Sequence, residues 1–523
     1  MKQNVSFSDE ARKQLQKGVD TLADAAKVTL GAKGRNVIID TKPIPHVTKD
    51  GVTVVNSINL KDPIQSIGAR LIQQIASKTA DDSGDGTTTS TVLAQQIISK
   101  GLDAIGKGAN PIDVYKGINL AVNEVVDYLR SKAILIDDDY NFLKQVANIS
   151  ANGDEEIAEL VADVMSKVKV DGLVTVEASG SSTTRTDILE GTKILAGVAD
   201  LQFITNPHKM RAEIEDSLVV LVDGDLSTTK EIYPILEAYE SLNTNKPIVF
   251  FSSNMNGELL YSLIMNKRKG ELSSLAVNMP GLKDEKSELL NDIQAITGGV
   301  VVKKELGELK NFTADMFGHA DKVISDMHST IITGEGLGRK DRADIIKGQI
   351  ELYKDDLPRK LYFNGRLARL NGGVAVIYVG GTTETEMIER KDRVDDAVGA
   401  TTAAMREGIV PGGGIALLRA KDAVKHLYTG NKDIKLGIEI IYNILDSPFR
   451  QILSNAGTNP DKVLSKITYT DFSYGYDVRE EKTVDMIQSG IIDPFKVVRN
   501  SIENSSSVAG LFLTTECVIS DDI

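Results

Sequence analysis

The chain has 523 residues, of which 41% are hydrophobic and 26% charged, a composition typical of a soluble globular protein. This length exceeds what one hydrophobic core can organise, so about three domains are expected. The 60 basic residues are outnumbered by 74 acidic ones, and the net charge of −14 argues against a dedicated nucleic-acid binder, since phosphate backbones are held by clustered Lys and Arg.

Long helices are predicted over residues 8–130, where apolar residues such as those from Ala11 to Ala26 recur three or four positions apart. Residues 190–330 differ, because short β-rich runs alternate there with helical stretches. The β-rich runs are 218–222, 247–251 and 299–302, and one helical stretch is 231–242. A second helical block is predicted over 433–467. A helical domain that is interrupted and then resumes implies that an α/β domain is inserted into it.

Glycines lie near both joints of the inserted segment, at Gly191 and at Gly372 and Gly373. Glycine allows the backbone to move through angles that other residues avoid, so these positions are candidate hinges. From the residues alone, ordinary loop glycines are an equally good interpretation.

Cys517 is the one cysteine in the sequence, which excludes an intramolecular disulfide, and its apolar neighbours predict a small core residue. The five histidines are too scattered to form a zinc site with it. Residues 1–10 are polar and acidic, unlike a signal or transit peptide, and no apolar run reaches about eighteen residues. We therefore expect no membrane span and a cytoplasmic or equivalent reducing location.

Residues 84–89, Gly-Asp-Gly-Thr-Thr-Thr, lie between two helical patterns. The glycines allow backbone amides to approach an anion, the following helix directs its positive end towards that anion, and Asp85 offers a hard oxygen for Mg²⁺. The segment lacks the Gly-Lys-Ser/Thr end of a Walker loop. Taken alone, it is more simply a turn followed by a helix cap.

Three more turns of similar composition strengthen the phosphate interpretation. Residues 29–34 form a glycine-rich turn after a helix, residues 48–51 include Asp50, and residues 407–414 end in three consecutive glycines. Asp396 lies on a helical pattern just before the last of these. The sequence shows no catalytic constellation of His, Ser or Cys, so this set favours a phosphate site operated by Mg²⁺ and carboxylates.

Together, residues 84–91, 48–52, 408–416 and 490–494 closely resemble the group I chaperonins of the GroEL type. The motifs keep their order and spacing, and the similarity extends from Arg12 to Cys517. The resemblance implies a multidomain α+β and α/β fold, in which a helical equatorial domain is split by an intermediate domain and an inserted α/β apical domain. The implied segments are equatorial 1–132 and 407–523, intermediate 133–189 and 374–406, and apical 190–373.

The resemblance also implies an ATPase that uses Mg²⁺ and a monovalent cation such as K⁺. Asp85 would ligate Mg²⁺, and Asp396, assisted by Asp50, would orient or deprotonate the attacking water. The nucleotide-binding residues implied by the resemblance are Thr29, Leu30, Gly31, Ala32, Lys49, Gly86, Thr87, Thr88, Thr89, Ser150, Gly413, Asp477, Val478 and Asp493. From composition alone, Asp396 is equally well a solvated helix acid beside Asp392 and Asp395.

The sequence departs from the family beside the adenine, where the usual Tyr-Asn-Ala-Ala is replaced by Tyr476, Asp477, Val478 and Arg479. An ionised Asp accepts hydrogen bonds but donates none, and Arg479 adds bulk and charge. Ala32 replaces the usual proline, which loosens that turn. These departures leave open how selectively adenine is bound.

For the apical domain, the resemblance implies capture of non-native polypeptides by apolar side chains on one strand segment and two helices. The matching residues are Val198, Phe203, Tyr233, Leu236, Leu260, Ile264 and Met265. The alternative is that these residues face the core, which periodicity does not separate from exposure. The strand segment is polar at Asp200 and Gln202, so the preference for clients or for a GroES-type lid is expected to differ.

The resemblance implies a homo-oligomer that consists of one or two rings, each of seven subunits. At positions the family uses for ring–ring charge pairing, Lys432 and Asn459 replace acids while Arg450 remains, which favours weaker pairing. Two rival interpretations stay open: a specialised, divergent chaperonin such as a virus-encoded or duplicated copy, with one ring or no separate lid, and a non-hydrolysing scaffold. Clients and the origin of the missing Gly-Met tail also stay open.

Overall fold

The computed structural model describes residues 3–41, 45–136, 139–170, 173–179, 181–189, 191–207, 210–334, 336–353, 356–371, 373–467 and 471–521. The chain divides into two compact units. Unit 1 comprises Met1–Ser166, Val176–Arg185 and Tyr378–Ile523, and unit 2 comprises Lys167–Thr175 and Thr186–Ile377. The finer division, with residues 133–189 and 374–406 as a separate domain, stays a prediction.

The elements are numbered in chain order. The helices are α1 (Ser8–Ala26), α2 (Gly51–Ser57), α3 (Pro63–Ser83), α4 (Thr87–Gly106), α5 (Pro111–Lys132), α6 (Tyr140–Ser150), α7 (Glu155–Val168), α8 (Tyr233–Ser241), α9 (Gly257–Lys269), α10 (Lys283–Thr297), α11 (Arg339–Leu352), α12 (Leu357–Asn371), α13 (Glu384–Glu407), α14 (Ile415–Arg419), α15 (Lys421–Val424), α16 (Lys432–Ile444), α17 (Ser447–Asn455), α18 (Pro460–Ile467) and α19 (Phe495–Leu513). The strands are β1 (Gln3–Phe7), β2 (Val37–Ile39), β3 (His46–Thr48), β4 (Leu173–Ala178), β5 (Arg185–Leu189), β6 (Gly191–Ile194), β7 (Ala212–Leu226), β8 (Ile248–Met255), β9 (Ser274–Asn278), β10 (Val301–Lys303), β11 (Gly318–Ser325), β12 (Thr330–Thr333), β13 (Val374–Val379), β14 (Ile409–Pro411), β15 (Tyr474–Asp477), β16 (Lys482–Asp485), β17 (Ile492–Pro494) and β18 (Cys517–Asp521).

Unit 1 is a helical body whose core draws on both ends of the chain. Helix α19 packs against α3, α4 and α5, α16 packs against α4 and α5, and α1 packs against α3 and α4. Core residues such as Val19, Ile72, Ile97, Ile441 and Ile502 are fully buried. The helix periodicity predicted for residues 8–130 and 433–467 is therefore confirmed, and so is the pairing of these blocks in one body.

Local signals fix the ends of the helices that carry the site. Asp62 accepts hydrogen bonds from the backbone N–H groups of Ile64 and Gln65, both at 2.9 Å, and Pro63 follows as the first residue of α3. At its other end, α3 stops at Gly84, whose φ of 72° is in the left-handed region that glycine favours. Asp50 caps α2 in the same way as Asp62 caps α3.

Unit 2 is an α/β body around a sheet of strand order β6-β12-β11-β7-β8-β9, and β10 also pairs with β7. Strands β7, β8 and β9 run parallel, and β11 runs antiparallel to β7. The parallel strands are buried on both faces, as the continuous apolar run Ile248–Phe251 indicates. The predicted α/β pattern of residues 190–330 is confirmed.

The structure describes two of the three candidate hinge glycines. Gly191 pairs with Thr333 in the β6–β12 ladder, and the N–H of Gly373 donates to the carbonyl of Val168 at 3.3 Å. Gly372 lies outside the described residues. Their role as hinges stays a prediction.

The prediction that Cys517 is a core residue is wrong. Strand β18 pairs with β1 in a two-stranded sheet, and its side chains alternate between the two faces. Val518 is buried, whereas Cys517 and its second neighbour Ile519 are exposed. Within the described ranges, no helix is both long and apolar enough to cross a membrane.

Candidate phosphate and metal site

The turn between α3 and α4 has the geometry of an anion-binding site. Gly84 and Gly86 have φ angles of 72° and 88°, so both use backbone that only glycine adopts at low cost. Gly86 is the N-cap of α4 and offers no side chain to the helix end. The first-turn N–H groups of Thr87, Thr88 and Thr89 therefore have no side-chain cap, and the helix directs its positive end there.

Asp85 lies between these glycines with both carboxylate oxygens in contact with donors. One oxygen accepts the backbone N–H of Gly86, and the other accepts the hydroxyl of Ser150 at 3.0 Å. Ser150 is the last residue of α6. The structure thus brings Ser150, predicted as a nucleotide residue, against the predicted metal ligand.

A contact between two glycines brings α13 against this turn. A Cβ atom on Gly84 would lie 2.6 Å from the Cα of Gly399, and one on Gly399 would lie 2.7 Å from the Cα of Gly84. Asp396 is three residues before Gly399, on the same helix. The sequence analysis missed Gly399, although a glycine inside a helix, where it costs about 1 kcal/mol, is itself a signal of close packing.

Several carboxylates repel one another beside the turn. Burial, followed by the charges of Asp85 and Asp50, holds the pKa of Asp396 well above its usual range. Burial and Asp50 raise the pKa of Asp85 as well. Burial and Asp50 raise the pKa of Asp392 to about 6. Asp396 is therefore not a solvated helix acid, and the region accumulates negative charge that a cation would offset.

Asp50 has a structural task in addition to its charge. Its two oxygens accept the N–H groups of Val52 at 3.2 Å and Thr53 at 2.7 Å, which caps α2. The next residue, Gly51, is packed so closely that a Cβ would lie 2.3 Å from the hydroxyl oxygen of Thr88. The half-buried Lys49 directly precedes Asp50. The turn at 48–51 is thus adjacent to the start of α4, as the sequence predicted.

The turn at 29–34 reaches α4 from another side. The hydroxyl oxygens of Thr29 and Thr88 are 3.4 Å apart. Gly31 has a φ of 85° and packs on Ile452 of α17. Leu30 and Ala32 flank it along the chain. The side-chain amide of Asn455 donates to the carbonyls of Lys27 and Leu30 at 2.8 and 2.9 Å; this residue holds the turn, and no sequence motif indicated it.

The fourth glycine turn carries Asp493 towards the same region. Strands β14 and β17 pair with Val410 opposite Asp493, and the N–H of Gly413 donates to the Asp493 carboxylate. Burial and the charge of Asp85 raise the pKa of Asp493 to about 7, although the Gly413 N–H opposes this shift. Asp493 is therefore linked electrostatically to the metal side of the site as well as to the Gly413 turn.

Asp477 and Val478 lie at the end of the β15–β16 hairpin. Val478 is buried with Ile415, Phe449 and Met486. One oxygen of Asp477 accepts the N–H groups of Arg479 at 2.8 Å and Glu480 at 3.3 Å. The carboxylate thus shapes the hairpin turn, and a role beside adenine stays a prediction.

The described residues contain no group of three His, Cys, Asp or Glu side chains placed to bind one metal ion by themselves. A Mg²⁺ ion bound to a nucleotide does not need such a group, because one or two carboxylates and the phosphates supply its ligands. Asp85, at the helix end where phosphates would bind, fits this pattern.

Comparison with known proteins agrees with this architecture. The sequence pattern of the TCP-1/cpn60 chaperonin family matches residues 22–246 and 274–522, which is most of the chain. The chain belongs to this chaperonin family. Two crystal forms of the chaperonin gp146 from bacteriophage EL 2 (Pseudomonas aeruginosa), both in the presence of ATP-BeFx, share the fold with a TM-score of 0.72 and 20% sequence identity. Each match covers 99% of both chains. The predicted resemblance and fold class are confirmed.

The predicted client-binding residues of this chaperonin are only partly at the surface of unit 2. Phe203 is fully buried and Ile264 is 3% exposed, so placing them on an exposed face is wrong for this structure. Both face the core because they fall on the inner side of a 3₁₀ turn and of α9. Tyr233 is 51% exposed. Partial exposure is found for Val198, Leu236, Leu260 and Met265.

An exposed aromatic on α9, Tyr261, was missed by the sequence analysis and is 64% exposed. Tyr261 is next to Leu260 in the sequence. Helix α9 lies beside the start of α8, because the hydroxyl of Thr229, in the turn directly before α8, is within hydrogen-bond distance of Glu258 and Ser262, at 3.1 and 3.3 Å. The predicted strand segment is wrong at residues 201–203, which form a 3₁₀ turn; Asp200 caps this turn by accepting the N–H of Gln202 at 2.8 Å, which accounts for one of its polar residues.

The predicted ring–ring positions are at the surface of unit 1. Lys432 and Asn459 are exposed, and Asn459 caps α18 through the N–H of Asp461 at 2.9 Å. Arg450 is paired within its own chain, with Asp446 and Asp461, both at 2.7 Å. These two carboxylates of the same subunit therefore already neutralise part of the Arg450 charge, which leaves less of it to attract another ring.

Replacing Gly399 by Ala is expected to force α13 away from the 84–86 turn, because the new Cβ meets backbone. The expected loss in free energy of unfolding is about 1–3 kcal/mol, as for other overpacked sites. Hydrogen exchange at residues 84–89 should accelerate. As a control, Gly348→Ala in α11, where no atom lies within 4 Å of the added Cβ, should be neutral or stabilising. Unchanged exchange in Gly399→Ala would contradict the contact.

Asp493→Asn should stabilise the protein at high pH. The pKa of Asp493 is raised to about 7, so the folded chain holds this proton where the unfolded chain has lost it, and stability falls as the pH rises from about 4 to about 7. At pH 8 in EDTA, the free energy of unfolding of the variant should exceed that of the wild type by about 2 kcal/mol, allowing for partial solvent exposure. At pH 4 this difference should vanish. Thermal unfolding at both pH values measures this, and an equal gain at both would refute it.

Proposed function

We propose that the chain is an ATP-dependent chaperonin that captures non-native polypeptides and promotes their folding inside a ring chamber through ATP-driven domain movement. The observation that carries this proposal is the convergence of Asp50, Asp85, Asp396 and Asp493 on the glycine-bounded start of α4. Membership of the chaperonin family supports it, and so does a protein of the same fold crystallised in the presence of ATP-BeFx.

The residues fit a nucleotide with its magnesium ion. The uncapped N–H groups and hydroxyls of Thr87, Thr88 and Thr89 would bind phosphate oxygens, with Thr29 and Lys49 on the flanking turns. Asp85 would hold Mg²⁺, oriented by the Ser150 hydroxyl. When bound, Mg²⁺ supplies positive charge that offsets the charge on the phosphates. K⁺ is proposed as a second cation near residues 29–31, by family resemblance.

Asp396 is proposed as the residue that orients and deprotonates the attacking water. A carboxylate with a raised pKa is a stronger base than an ordinary one, and so it is better suited to accept a proton near neutral pH. The Gly84–Gly399 contact sets its distance from Asp85. Asp50 would assist through its charge, since its oxygens already cap α2. Gly413, Asp477, Val478 and Asp493 would lie beside the nucleoside.

Capture of clients is proposed for the exposed apolar face of α8 and α9. Tyr233, Tyr261, Leu260 and Met265 are exposed or partly exposed there, and a face of this kind binds apolar segments of unfolded chains. We further propose a ring of seven subunits and a GroES-type lid. These assembly features rest on the family resemblance.

Asp396→Ala should bind ATP normally but hydrolyse it at least about a hundredfold more slowly, because general bases contribute this much or more. The matched control is Asp395→Ala, since Asp395 is exposed on the same helix and pairs with Lys391. Phosphate release and nucleotide binding measure the two effects. Normal turnover in Asp396→Ala would overturn the assignment, and no Mg²⁺-dependent turnover in the wild type would favour a non-hydrolysing scaffold.

Replacing both Tyr233 and Tyr261 by Ser should weaken binding of a labelled, chemically unfolded polypeptide by about thirtyfold, since each exposed aromatic anchor contributes about 1 kcal/mol. Leu352→Ser is the control, because Leu352 is 74% exposed in the same unit but lies on α11. Fluorescence titration gives both affinities. If the control loses as much affinity as the double variant, the α8–α9 face is not the client site.

A second candidate is a specialised chaperonin that works as a single ring or without a separate lid. The observation that favours it is the internal pairing of Arg450 with Asp446 and Asp461, together with Lys432 and Asn459 at positions where the family has acids. Sedimentation with and without ATP distinguishes the two. From 56.6 kDa per subunit, one ring of seven has a mass of about 0.4 MDa. Twice this mass in every nucleotide state would rule out the single-ring candidate.

A further inference from the structure

The turn between β15 and β16 carries charged side chains that the proposed mechanism does not use. Arg479, Glu480 and Glu481 are exposed at its tip. The Asp477 carboxylate fixes the tip by accepting the N–H groups of Arg479 and Glu480. The charged side chains are therefore presented from a defined turn.

Arg479 connects this turn to the end of α6. Its guanidinium donates to the carbonyl oxygen of Asn152 at 3.0 Å. It lies against Gly153, where a Cβ would be 2.5 Å from a guanidinium nitrogen, so a side chain at this position would displace the guanidinium. A cation beside the carbonyl end of a helix is electrostatically favourable. Two residues before Asn152, the Ser150 hydroxyl holds Asp85.

Glu481 connects the same turn to the 29–34 turn. Its carboxylate pairs with the ammonium of Lys33 at 3.1 Å. Lys33 follows Gly31, and the start of that turn is anchored by Asn455. One short turn thus makes contacts with two segments that both contribute predicted nucleotide residues.

The base of the hairpin is fixed while its tip is held only by exposed contacts. Val478 and Met486 are buried, and Met486 also lies beside Gly413, 3.2 Å from where a Cβ would be. Exposed ion pairs contribute little individually, so the tip contacts would open more readily than the hairpin base. A hairpin with a fixed base and a weakly held tip is suited to opening and closing at its tip.

We propose that Arg479 and Glu481 form a clasp that ties the end of α6 to the 29–34 turn and slows the release of the bound nucleotide. The clasp rests on the proposed function, because its ligand is the nucleoside di- or triphosphate of that same site. Arg479 is a positioning residue: it acts on the nucleotide through the end of α6 and Ser150. Glu481 acts through Lys33.

The test measures release of ADP labelled with N-methylanthraniloyl on its ribose from the full-length, assembled protein, after excess unlabelled ADP is added in Mg²⁺. Arg479→Ala and Glu481→Gln should each accelerate release by about fivefold, the upper value for an exposed charged contact. The double variant should accelerate it by about 25-fold if the contacts act independently. Glu480→Gln is the matched control and should release the label at the wild-type rate.

Two further readouts separate a clasp from a merely structural role. Added salt should accelerate release from the wild type and have less effect on the double variant, because salt screens the exposed contacts. Arg479→Lys should restore part of the slow release. Equal salt dependence in the two proteins would overturn the clasp.

Different results would overturn the clasp and the proposed function. If the wild type binds the labelled ADP but Arg479→Ala and Glu481→Gln release it at the wild-type rate, the clasp is overturned and the proposed function stands. If the wild type binds neither labelled ADP nor ATP in Mg²⁺, the proposed function is overturned and the clasp with it.

Discussion

The repulsion among buried carboxylates is the constraint to which the rest of unit 1 is adapted. Asp85, Asp396 and Asp493 have raised pKa values because burial weakens their hydration and nearby carboxylates add their charge: Asp50 acts on Asp85, and Asp85 acts on both Asp396 and Asp493. Such a cluster persists only where the surrounding structure holds it together. The direct contact between Gly84 and Gly399 does this, because any side chain at either position would separate α13 from the turn. A cation at this site would offset that repulsion, as the proposed function requires.

The start of α4 is held by elements that are distant in the sequence. Ser501 of α19 donates to the carbonyl of Gly86 at 3.2 Å, and Ser505 donates to that of Ser90 at 2.7 Å. A small side chain at each of these positions allows α19 to approach α4 closely. Asn455 of α17 fixes the 29–34 turn in a comparable way. The site is therefore built on turns whose positions are set by rigid helices, which is the arrangement that precise phosphate chemistry requires.

Unit 2 combines a rigid interior with an adaptable surface. The fully buried Arg366 forms two hydrogen bonds to Asp292, at 2.8 and 2.7 Å, and Arg342 pairs with the same carboxylate at 2.7 Å. This network joins α10, α11 and α12, and removing one partner from such a network leaves a buried charge uncompensated. Among the described residues, the face of α8 and α9 has no comparable network of buried charges, and Tyr233 and Tyr261 are exposed there.

The sequence by itself determined the features that depend on neighbouring residues: the helix periodicity, the interrupted helical domain and the glycine turn at 84–89. Only the tertiary structure decided which face of each element meets a distant partner. It placed Asp396 beside Asp85 through Gly399, buried Phe203 and Ile264, and exposed Cys517. Periodicity shows that a helix or strand has two faces, but the choice between them depends on packing against segments that are distant in the sequence, which no local pattern encodes.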